Sequence, residues 1–259
     1  MHILDTICRS KRIEVANQKE LKPLSVLKDN LKTLRAKVSF KKALSESKSG
    51  IIAEFKRKSP SKGWINQEAD VTQIVRSYEI AGAAAISCLT DEPFFGGSFS
   101  DFEKARRVIE HIPLLRKDFI LDEYQLYQSK LMGADVILLI AACLTTDEIA
   151  YFTAVSHALD MEVLLEIHDE TELALICPEV DVIGVNNRNL KTFVTDIQRT
   201  IDLSSRIPEH ILKISESGIS HPETVIQLRE AGFLGFLMGE TFMKTNDPGE
   251  SLREFISEL

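Results

Sequence analysis

A carboxylate and several cations follow a short apolar run in residues 51–63, IIAEFKRKSPSKG. If this run forms a β-strand, its two-residue period directs Glu54 and Lys56 to the same face, near the end of the strand. A carboxylate and an ammonium group placed together could transfer protons to and from a substrate. The alternative is an ion pair on the surface, followed by a solvated basic loop.

Similar strand ends recur along the chain, and the repetition favours the catalytic interpretation. Each is an apolar run that finishes in a charged or polar side chain. The residues at these ends are Lys117, Glu166, Asn186, Arg188, Glu216 and Ser217. Groups of opposite charge that meet in an apolar cleft shift each other's pKa values, and this arrangement suits acid–base catalysis.

The elements that would position these residues alternate between strands and helices. Short β-rich runs are predicted at residues 51–55, 84–89, 113–119, 135–140, 162–167, 181–187, 211–217 and 235–239. Helical patterns are predicted at residues 71–81, 102–109, 123–132, 146–159, 170–176, 196–205 and 222–231. Such strands pair in parallel through right-handed crossovers, and eight units close into a (β/α)8 TIM barrel. An open doubly wound sheet is the alternative, but its G-x-G-x-x-G turn is missing after the first strand.

A barrel would bring the strand ends together, because active sites in this fold lie at the carboxyl ends of the strands. Alternation along the predicted strands fits one shared interior. Leu115, Lys117 and Phe119 fall on one face of their strand, and Leu164 and Glu166 fall on one face of theirs. We therefore expect the charged ends to meet at a single mouth.

Two glycines indicate a phosphate site. Gly218 follows the seventh predicted strand in SESGIS, and Gly239 ends the eighth in MGE. Backbone N–H groups after these two strands often bind phosphate in barrels, and glycine lets the backbone approach closely. Glu240 would contribute only its N–H, with its carboxylate directed away. The alternative is that both glycines are ordinary turn residues.

Aromatic residues near the second strand could enclose a planar ring. Residues 94–98, FFGGS, are predicted to form a flexible turn. Phe95, Phe119, Leu138 and Leu190 could supply an apolar slot beside it. Packing in the core or in a loop is an equal alternative.

Residues 1–48 are predicted to be a helical extension of a single barrel domain that spans residues 1–259. Apolar positions at Ile3, Ile7 and Val15 indicate an amphipathic helix, and residues 40–44 indicate a second, short one. We expect the extension to pack on the barrel, where its position could make it a lid.

Composition excludes several classes of protein. The 259 residues are 44% hydrophobic and carry a formal net charge of -8, which argues against a general nucleic-acid binder. No apolar run reaches the length of about 18 residues that a membrane helix needs, and the N-terminus lacks a secretory signal.

The cysteines and histidines give no metal-ligand spacing. Cys8, Cys88, Cys143 and Cys177 are far apart, with no C-x-x-C pair. We expect them to be reduced thiols, mainly in the core of a cytoplasmic protein. His168, just beyond a predicted strand, is interpreted as a loop residue, and no metal is expected.

Long motifs in a fixed order resemble one family. They are ILDTICRSKRIEV, IAEFKRKSPSKG, FFGGSFSD, LRKDFILDEYQ, GADVILLIA, LLEIHDE, IGVNNRNLKTF, SESGIS and FLMGE, and they cover nearly the whole chain. On these motifs the chain resembles the indole-3-glycerol phosphate synthases, enzymes of tryptophan biosynthesis. One departure is Asn189, where many members are expected to have Asp, beside the site rather than in it.

This resemblance implies a carboxy-lyase that uses no metal or organic cofactor. The reaction is ring closure of 1-(2-carboxyphenylamino)-1-deoxyribulose 5-phosphate to indole-3-glycerol phosphate, with loss of carbon dioxide and water. Lys117 would be the general acid toward the ketone oxygen. Glu54, Lys56 and Glu166 would serve the dehydration, and the division of steps among them stays open.

The resemblance also implies how a phosphorylated substrate is bound. Asn186 and Ser217 would orient its hydroxyls, Arg188 and Lys56 would hold its anionic groups, and Ser59 would close the first loop. The residues expected to enclose the ring are Phe95, Phe119, Leu138, Leu190 and Leu237. Backbone N–H groups of Gly218, Gly239 and Glu240 would hold the phosphate. We expect a monomer, with a weak dimer as the alternative, and no nucleic-acid or membrane partner.

Three alternatives remain at this stage. Lys56 or Lys117 could form a Schiff base, as in barrel aldolases. A sister enzyme, phosphoribosylanthranilate isomerase, would need a Cys/Asp pair, and Cys88 has no matching Asp. A catalytically silent barrel would be expected to have lost charges that are intact here.

Overall fold

Eight parallel strands close into a barrel, as the alternating pattern predicts. The computed structural model describes residues 3–32, 36–189 and 194–259. The strands are β1 (Ile51–Phe55), β2 (Ala85–Leu89), β3 (Leu114–Lys117), β4 (Val136–Ile140), β5 (Glu162–Ile167), β6 (Val182–Asn186), β7 (Leu212–Glu216) and β8 (Gly235–Met238). Each strand pairs with the next along the chain, and β8 pairs with β1. The fold is a TIM barrel, and every predicted strand overlaps an observed one.

Helices precede the barrel and surround it. Those before β1 are α1 (Ile3–Leu21), α2 (Leu24–Asp29) and α3 (Phe40–Glu46). Those after β1 are α4 (Val71–Ala81), α5 (Glu92–Phe95), α6 (Phe99–Val108), α7 (Glu123–Leu131), α8 (Thr146–Ala158), α9 (Ile197–Ser204), α10 (Pro222–Glu230), α11 (Glu240–Met243) and α12 (Pro248–Ser257). The pattern at residues 170–176 forms a 3-10 helix, Glu170–Leu175. The helix ends at Leu175, because Ile176 is extended and Pro178 disfavours a helical conformation at Cys177.

Side-chain caps fix where the helices around the mouth begin. Asp122 Oδ1 accepts the N–H of Tyr124 at the start of α7. At the start of α8, the Thr145 hydroxyl accepts the N–H of Glu148, and the Glu148 carboxylate accepts the N–H of Thr145. Each cap typically contributes about 1 kcal/mol to stability. The loops after β3 and β4 therefore end at defined points.

Apolar side chains pack in two layers, one between strands and helices and one inside the barrel. The inner layer includes Ile52, Leu115, Val136, Leu138, Leu164, Val182, Ile214 and Leu237. Phe40 and Leu44 of α3 belong to the same inner cluster and are 0% and 1% exposed. The N–H of Lys41 in α3 also donates to Glu162 at the beginning of β5. Helix α3 thus closes the amino-terminal end of the barrel and leaves the carboxyl end for a ligand.

Helix α1 lies against the carboxyl end of the barrel. The side chain of Lys11 is 1% exposed, and its ammonium nitrogen lies 3.2 Å from Asp91 Oδ2 and 3.0 Å from Asp118 Oδ1. These two aspartates follow β2 and β3. The helix predicted over residues 3–15 continues to Leu21.

Two short elements differ from the sequence predictions. Residues 58–64 contain a small antiparallel hairpin, Lys58–Ser59 with Gly63–Trp64, where a turn is expected. The flexible turn predicted at residues 94–98 begins inside helix α5. Asp91 accepts the N–H of Phe94 and caps this helix, and Gly96, at φ 64°, ends it.

Two cysteines that are remote in the sequence are in contact. The sulfur atoms of Cys8, on α1, and Cys143, after β4, lie 3.4 Å apart, although 135 residues separate the two in the sequence. Cys88 and Cys177 are buried in the core, and all four are free thiols. Among the described helices, none combines the length and apolar character that crossing a membrane requires.

Candidate active site

A cavity of about 480 Å³ opens at the carboxyl ends of the strands. The predicted site residues among its lining are Glu54, Lys56, Ser59, Phe95, Lys117, Phe119, Leu138, Glu166, Asn186, Arg188, Ser217, Gly218, Leu237, Gly239 and Glu240. One further prediction, Leu190, lies outside the described residues. The fold therefore brings every described candidate to one place.

Lys117 lies between two carboxylates inside this cavity. Its ammonium nitrogen is 3.5 Å from Oε2 of Glu166 on β5 and 3.5 Å from Oε2 of Glu216 on β7. The neighbours of Lys117 in sequence, Arg116 and Asp118, form a buried ion pair at 2.7 Å that fixes the end of β3. Alternation along β3 then directs Lys117 toward the barrel axis.

Burial and charge together set the protonation states around Lys117. Burial would lower the pKa of Lys117, but the carboxylates of Glu216, Glu166 and Glu54 outweigh burial and raise it. Burial would raise the pKa of Glu166, but the charges of Lys117 and His168 outweigh burial and lower it. For Glu216, burial first and the other carboxylates next raise the pKa to about 8, although Lys117 opposes them. The cavity thus places the ammonium group of Lys117 beside two carboxyl groups whose pKa values are shifted in opposite directions.

Glu216 is the main residue whose role the sequence analysis misses. Its side chain is 1% exposed, and neither oxygen makes a hydrogen bond of full geometry with the described residues. Gly184, on the adjacent strand β6, leaves room for it, because a Cβ there would collide with Oε1 of Glu216. The available signal is the alternation of Leu212, Ile214 and Glu216 along β7, which places all three in the barrel interior.

Glu54 and Lys56 form a second charged pair, at the end of β1. The ammonium group of Lys56 donates to Oε1 of Glu54, whose side chain is 4% exposed. Gly239 lies directly beside Glu54, because a Cβ at position 239 would lie 2.7 Å from Oε1 of Glu54. Gly239 therefore helps to set the position of Glu54, in addition to any contact of its backbone with a ligand.

The predicted phosphate site has an unusual backbone. Ser217 and Gly218 have φ angles of 70° and 71°, so two successive residues occupy the left-handed region. This conformation costs a residue other than glycine about 1 kcal/mol or more. The side-chain amide of Asn187 donates to the carbonyl of Ser217 at 2.6 Å and helps to hold it. The backbone after β7 thus turns sharply at these two residues, and Ser217 carries local strain.

Cations lie on the same side of the cavity. Lys62, Arg188 and Lys244 are among its lining residues. The carboxylate of Glu240 lies 3.6 Å from the ammonium nitrogen of Lys62. The guanidinium of Arg188 donates to the hydroxyl of Ser61 at 2.9 Å, which connects the loops after β1 and β6. This side of the cavity suits an anionic group.

The opposite side is apolar. The rings of Phe95 and Phe119 lie 6.0 Å apart, centroid to centroid, at an angle of 38°. Ile3, Leu4 and Ile7 of α1 also line the cavity. The sequence analysis predicts an amphipathic helix here but not that its apolar face contacts the site. The cavity therefore combines an apolar slot with a cationic end.

Known proteins match this chain along almost all of its length. The family model of indole-3-glycerol phosphate synthase matches residues 4–255. The synthase of Bacteroides thetaiotaomicron is 52% identical over 257 residues, which cover 99% of this chain and 98% of the relative. That of Caldanaerobacter subterraneus is 42% identical over 258 residues, which cover 99% and 98%.

A solved structure supports the fold separately. The 3-hexulose-6-phosphate synthase of Salmonella typhimurium superposes with a TM-score of 0.65 at 14% identity, and the match covers 81% of this chain and 98% of that one. Identity this low bears on the fold alone. The family model and the sequence relatives, in contrast, span both the barrel and its N-terminal helices, and so this chain belongs to the indole-3-glycerol phosphate synthase family.

Proposed function

We propose that this chain converts 1-(2-carboxyphenylamino)-1-deoxyribulose 5-phosphate to indole-3-glycerol phosphate, with release of carbon dioxide and water. The observation that carries the proposal is the position of Lys117 between Glu166 and Glu216 in a cavity that is apolar at one end and cationic at the other. A planar aromatic ring fits the first end and a phosphate fits the second.

Ring closure requires a proton donor. Attack of the aromatic ring on the ketone builds negative charge on the ketone oxygen, and an ammonium group at that oxygen can donate a proton to it. Lys117 is suited to this step because its raised pKa keeps it protonated. The same protonation disfavours a Schiff base, which needs the neutral amine.

Dehydration requires both a base and a second acid. Glu166 is suited to the base role because Lys117 and His168 keep its carboxylate ionised by lowering its pKa against the effect of burial. Lys56 beside Glu54 can donate a proton to the departing hydroxyl, and the raised pKa of Glu216 suits its carboxyl group to the same role. Asn186 and Ser217 also line the cavity and would orient the ribulose hydroxyls.

Substrate binding divides along the cavity. Phe95, Phe119, Leu138 and Leu237 would contact the anthranilate ring, and Ser59 would close over it from the loop after β1. Arg188 is placed for an anionic group of the substrate. Backbone N–H groups of Gly218, Gly239 and Glu240 would bind the phosphate. We further propose that the enzyme acts in the cytoplasm as a monomer, with a small molecule as its partner. The assignment of residues 1–48 as an extension of a single domain remains a prediction.

The sister isomerase has less support. Cys88, the residue considered for it, is fully buried in the layer between strands and helices. Burial, and then the charge of Asp101, raise the pKa of this thiol, so it stays neutral. Its burial in that layer also keeps it away from the cavity.

The direct test is a product assay. Purified protein mixed with the carboxyphenylamino deoxyribulose phosphate is expected to produce indole fluorescence, with stoichiometric release of carbon dioxide. The matched control is phosphoribosylanthranilate, which should be left unchanged. Absence of indole product from folded protein would refute the proposal, and turnover of the control substrate would favour the isomerase.

A further inference from the structure

A histidine outside the cavity lining is buried against one of the proposed catalytic groups. His168 follows β5, and its side chain is 7% exposed. Its Nε2 lies 3.1 Å from Oε1 of Glu166, and its Nδ1 lies 3.4 Å from Oε2 of Glu172. An imidazole with a carboxylate at each nitrogen has the surroundings of an imidazolium ion.

The backbone of His168 is held on both sides. Its N–H donates to Oε2 of Glu172 at 2.6 Å, the same oxygen that faces the ring. Its carbonyl accepts from the guanidinium of Arg199, on α9. Glu172 belongs to the 3-10 helix Glu170–Leu175, which Asp169 caps. The backbone of His168 is therefore fixed relative to the end of β5, and its ring lies between Glu166 and Glu172.

The two oxygens of Glu166 face different cations. Oε1 faces His168, and Oε2 lies 3.5 Å from Lys117. A carboxylate with a cation at each oxygen favours one orientation, and the side chain of Asn186 adds a hydrogen bond to Glu166. His168 thus supplies the contact that Lys117 cannot supply.

Other elements packed here add few charges. Cys143, in the 3-10 helix after β4, interacts electrostatically with both Glu166 and Glu172. Its contact with Cys8, and then burial, raise its pKa, so it stays a neutral thiol. Arg199 reaches the backbone of His168, and its guanidinium lies 3.9 Å from Asp169. Glu166 and Glu172 thus face the imidazole itself.

We propose that His168 is a positioning residue, an imidazolium that orients Glu166 and keeps it ionised for proton abstraction, with Glu172 as its counter-ion. This role rests on the proposed function, because it acts through Glu166. Burial lowers the pKa of His168, but Glu166 and Glu172 outweigh burial and raise it to about 10. His168 itself transfers no proton to the substrate, since it is not among the residues that line the cavity.

The charge of His168 can be measured without turnover. Nitrogen-15 NMR of imidazole-labelled protein reports whether both ring nitrogens are protonated, and His168→Asn identifies the signal by its loss. If the variant does not fold, the histidine that stays doubly protonated at pH 8.5 is sought in the wild type instead. Persistence of such a signal supports the proposal, and a titration of every histidine below pH 7 overturns it.

Kinetics then test the route through Glu166. His168→Asn is expected to lower kcat about tenfold, to change KM less than about twofold, and to move the acidic limb of the kcat profile upward by about one pH unit. In a Glu166→Gln background, the same change should lower kcat less than about twofold, because the group that it positions has already been removed.

The matched control is His157→Asn. His157, on α8, also pairs with a carboxylate, at 2.8 Å from Oδ2 of Asp181, and it does not line the cavity. The His157→Asn variant should have the kcat and the pH profile of the wild type. A full tenfold loss from His168→Asn in the Glu166→Gln background would mean that His168 acts on stability or on another group, and would overturn the proposal. Lack of turnover by the wild type would instead refute the proposed function, while the NMR result would still decide the charge.

Discussion

The ammonium nitrogen of Lys117 lies 3.5 Å from Oε2 of Glu216, although the two residues belong to strands on opposite sides of the barrel. Such a contact exists only because the strands close into a ring. It places a protonated donor next to a carboxyl group whose pKa burial and the neighbouring carboxylates raise. The pair therefore connects the topology of the fold to the chemistry of the cavity.

The stability of Glu216→Gln relative to wild type is expected to rise with pH. The pKa of Glu216 is about 8 in the folded protein against an ordinary 4.5, so its favourable contribution is complete below pH 4.5 and is lost as pH rises toward 8. The difference in free energy of unfolding, variant minus wild type, should rise by a few kcal/mol between these pH values. Urea unfolding at several pH values measures it. A flat difference for Glu216→Gln would contradict its raised pKa.

Gly239→Ala is expected to lower activity by displacing Glu54. The added Cβ would lie 2.7 Å from Oε1 of Glu54, and the carboxylate would have to move. We expect kcat/KM to fall about tenfold or more, with the thermal midpoint lowered by several degrees. Gly249→Ala makes a similar overlap with Ser77 away from the cavity. It should lower the midpoint but not kcat/KM, and equal losses of activity in the two variants would contradict the role given to Gly239.

Lys11→Met tests how helix α1 is held over the cavity. It leaves the buried Asp91 without its cation and the buried Asp118 with Arg116 alone, which is expected to lower the free energy of unfolding by about 3 kcal/mol. KM should rise, because α1 supplies apolar residues to the cavity. Urea unfolding and steady-state kinetics measure the two effects. The control, Lys19→Met, removes an exposed ion pair with Asp122 and should lower the free energy of unfolding by less than about 1 kcal/mol. An equal loss in both variants would show that Lys11 does not anchor helix α1.

Barrel and cavity could be predicted from the sequence because both depend on local patterns. The two-residue period around Lys117 and Glu166 gives their direction within a strand, and the (β/α)8 closure then brings them together. The strand ends at Asn186, Ser217 and Gly239 follow from the same alternation and lie in the same cavity.

Long-range contacts could not be predicted in this way. Nothing local in the sequence indicates that Leu4 of α1 reaches the cavity or that Cys8 contacts Cys143, because both depend on how a separate helix docks. The charge of His168 likewise depends on Glu172, whose distance from it is set by a 3-10 helix. The role of Glu216 depends on the space left by Gly184 on a neighbouring strand.

The central claim is that Lys117 donates the proton for ring closure, and Lys117→Met tests it most directly. At saturating substrate we expect kcat to fall about a hundredfold or more, while binding of a phosphate-bearing product analogue persists. Lys213→Met is the control, because Lys213 also lies on a barrel strand but donates to Ser204, away from the cavity. A kcat for Lys117→Met within about twofold of wild type would contradict the account.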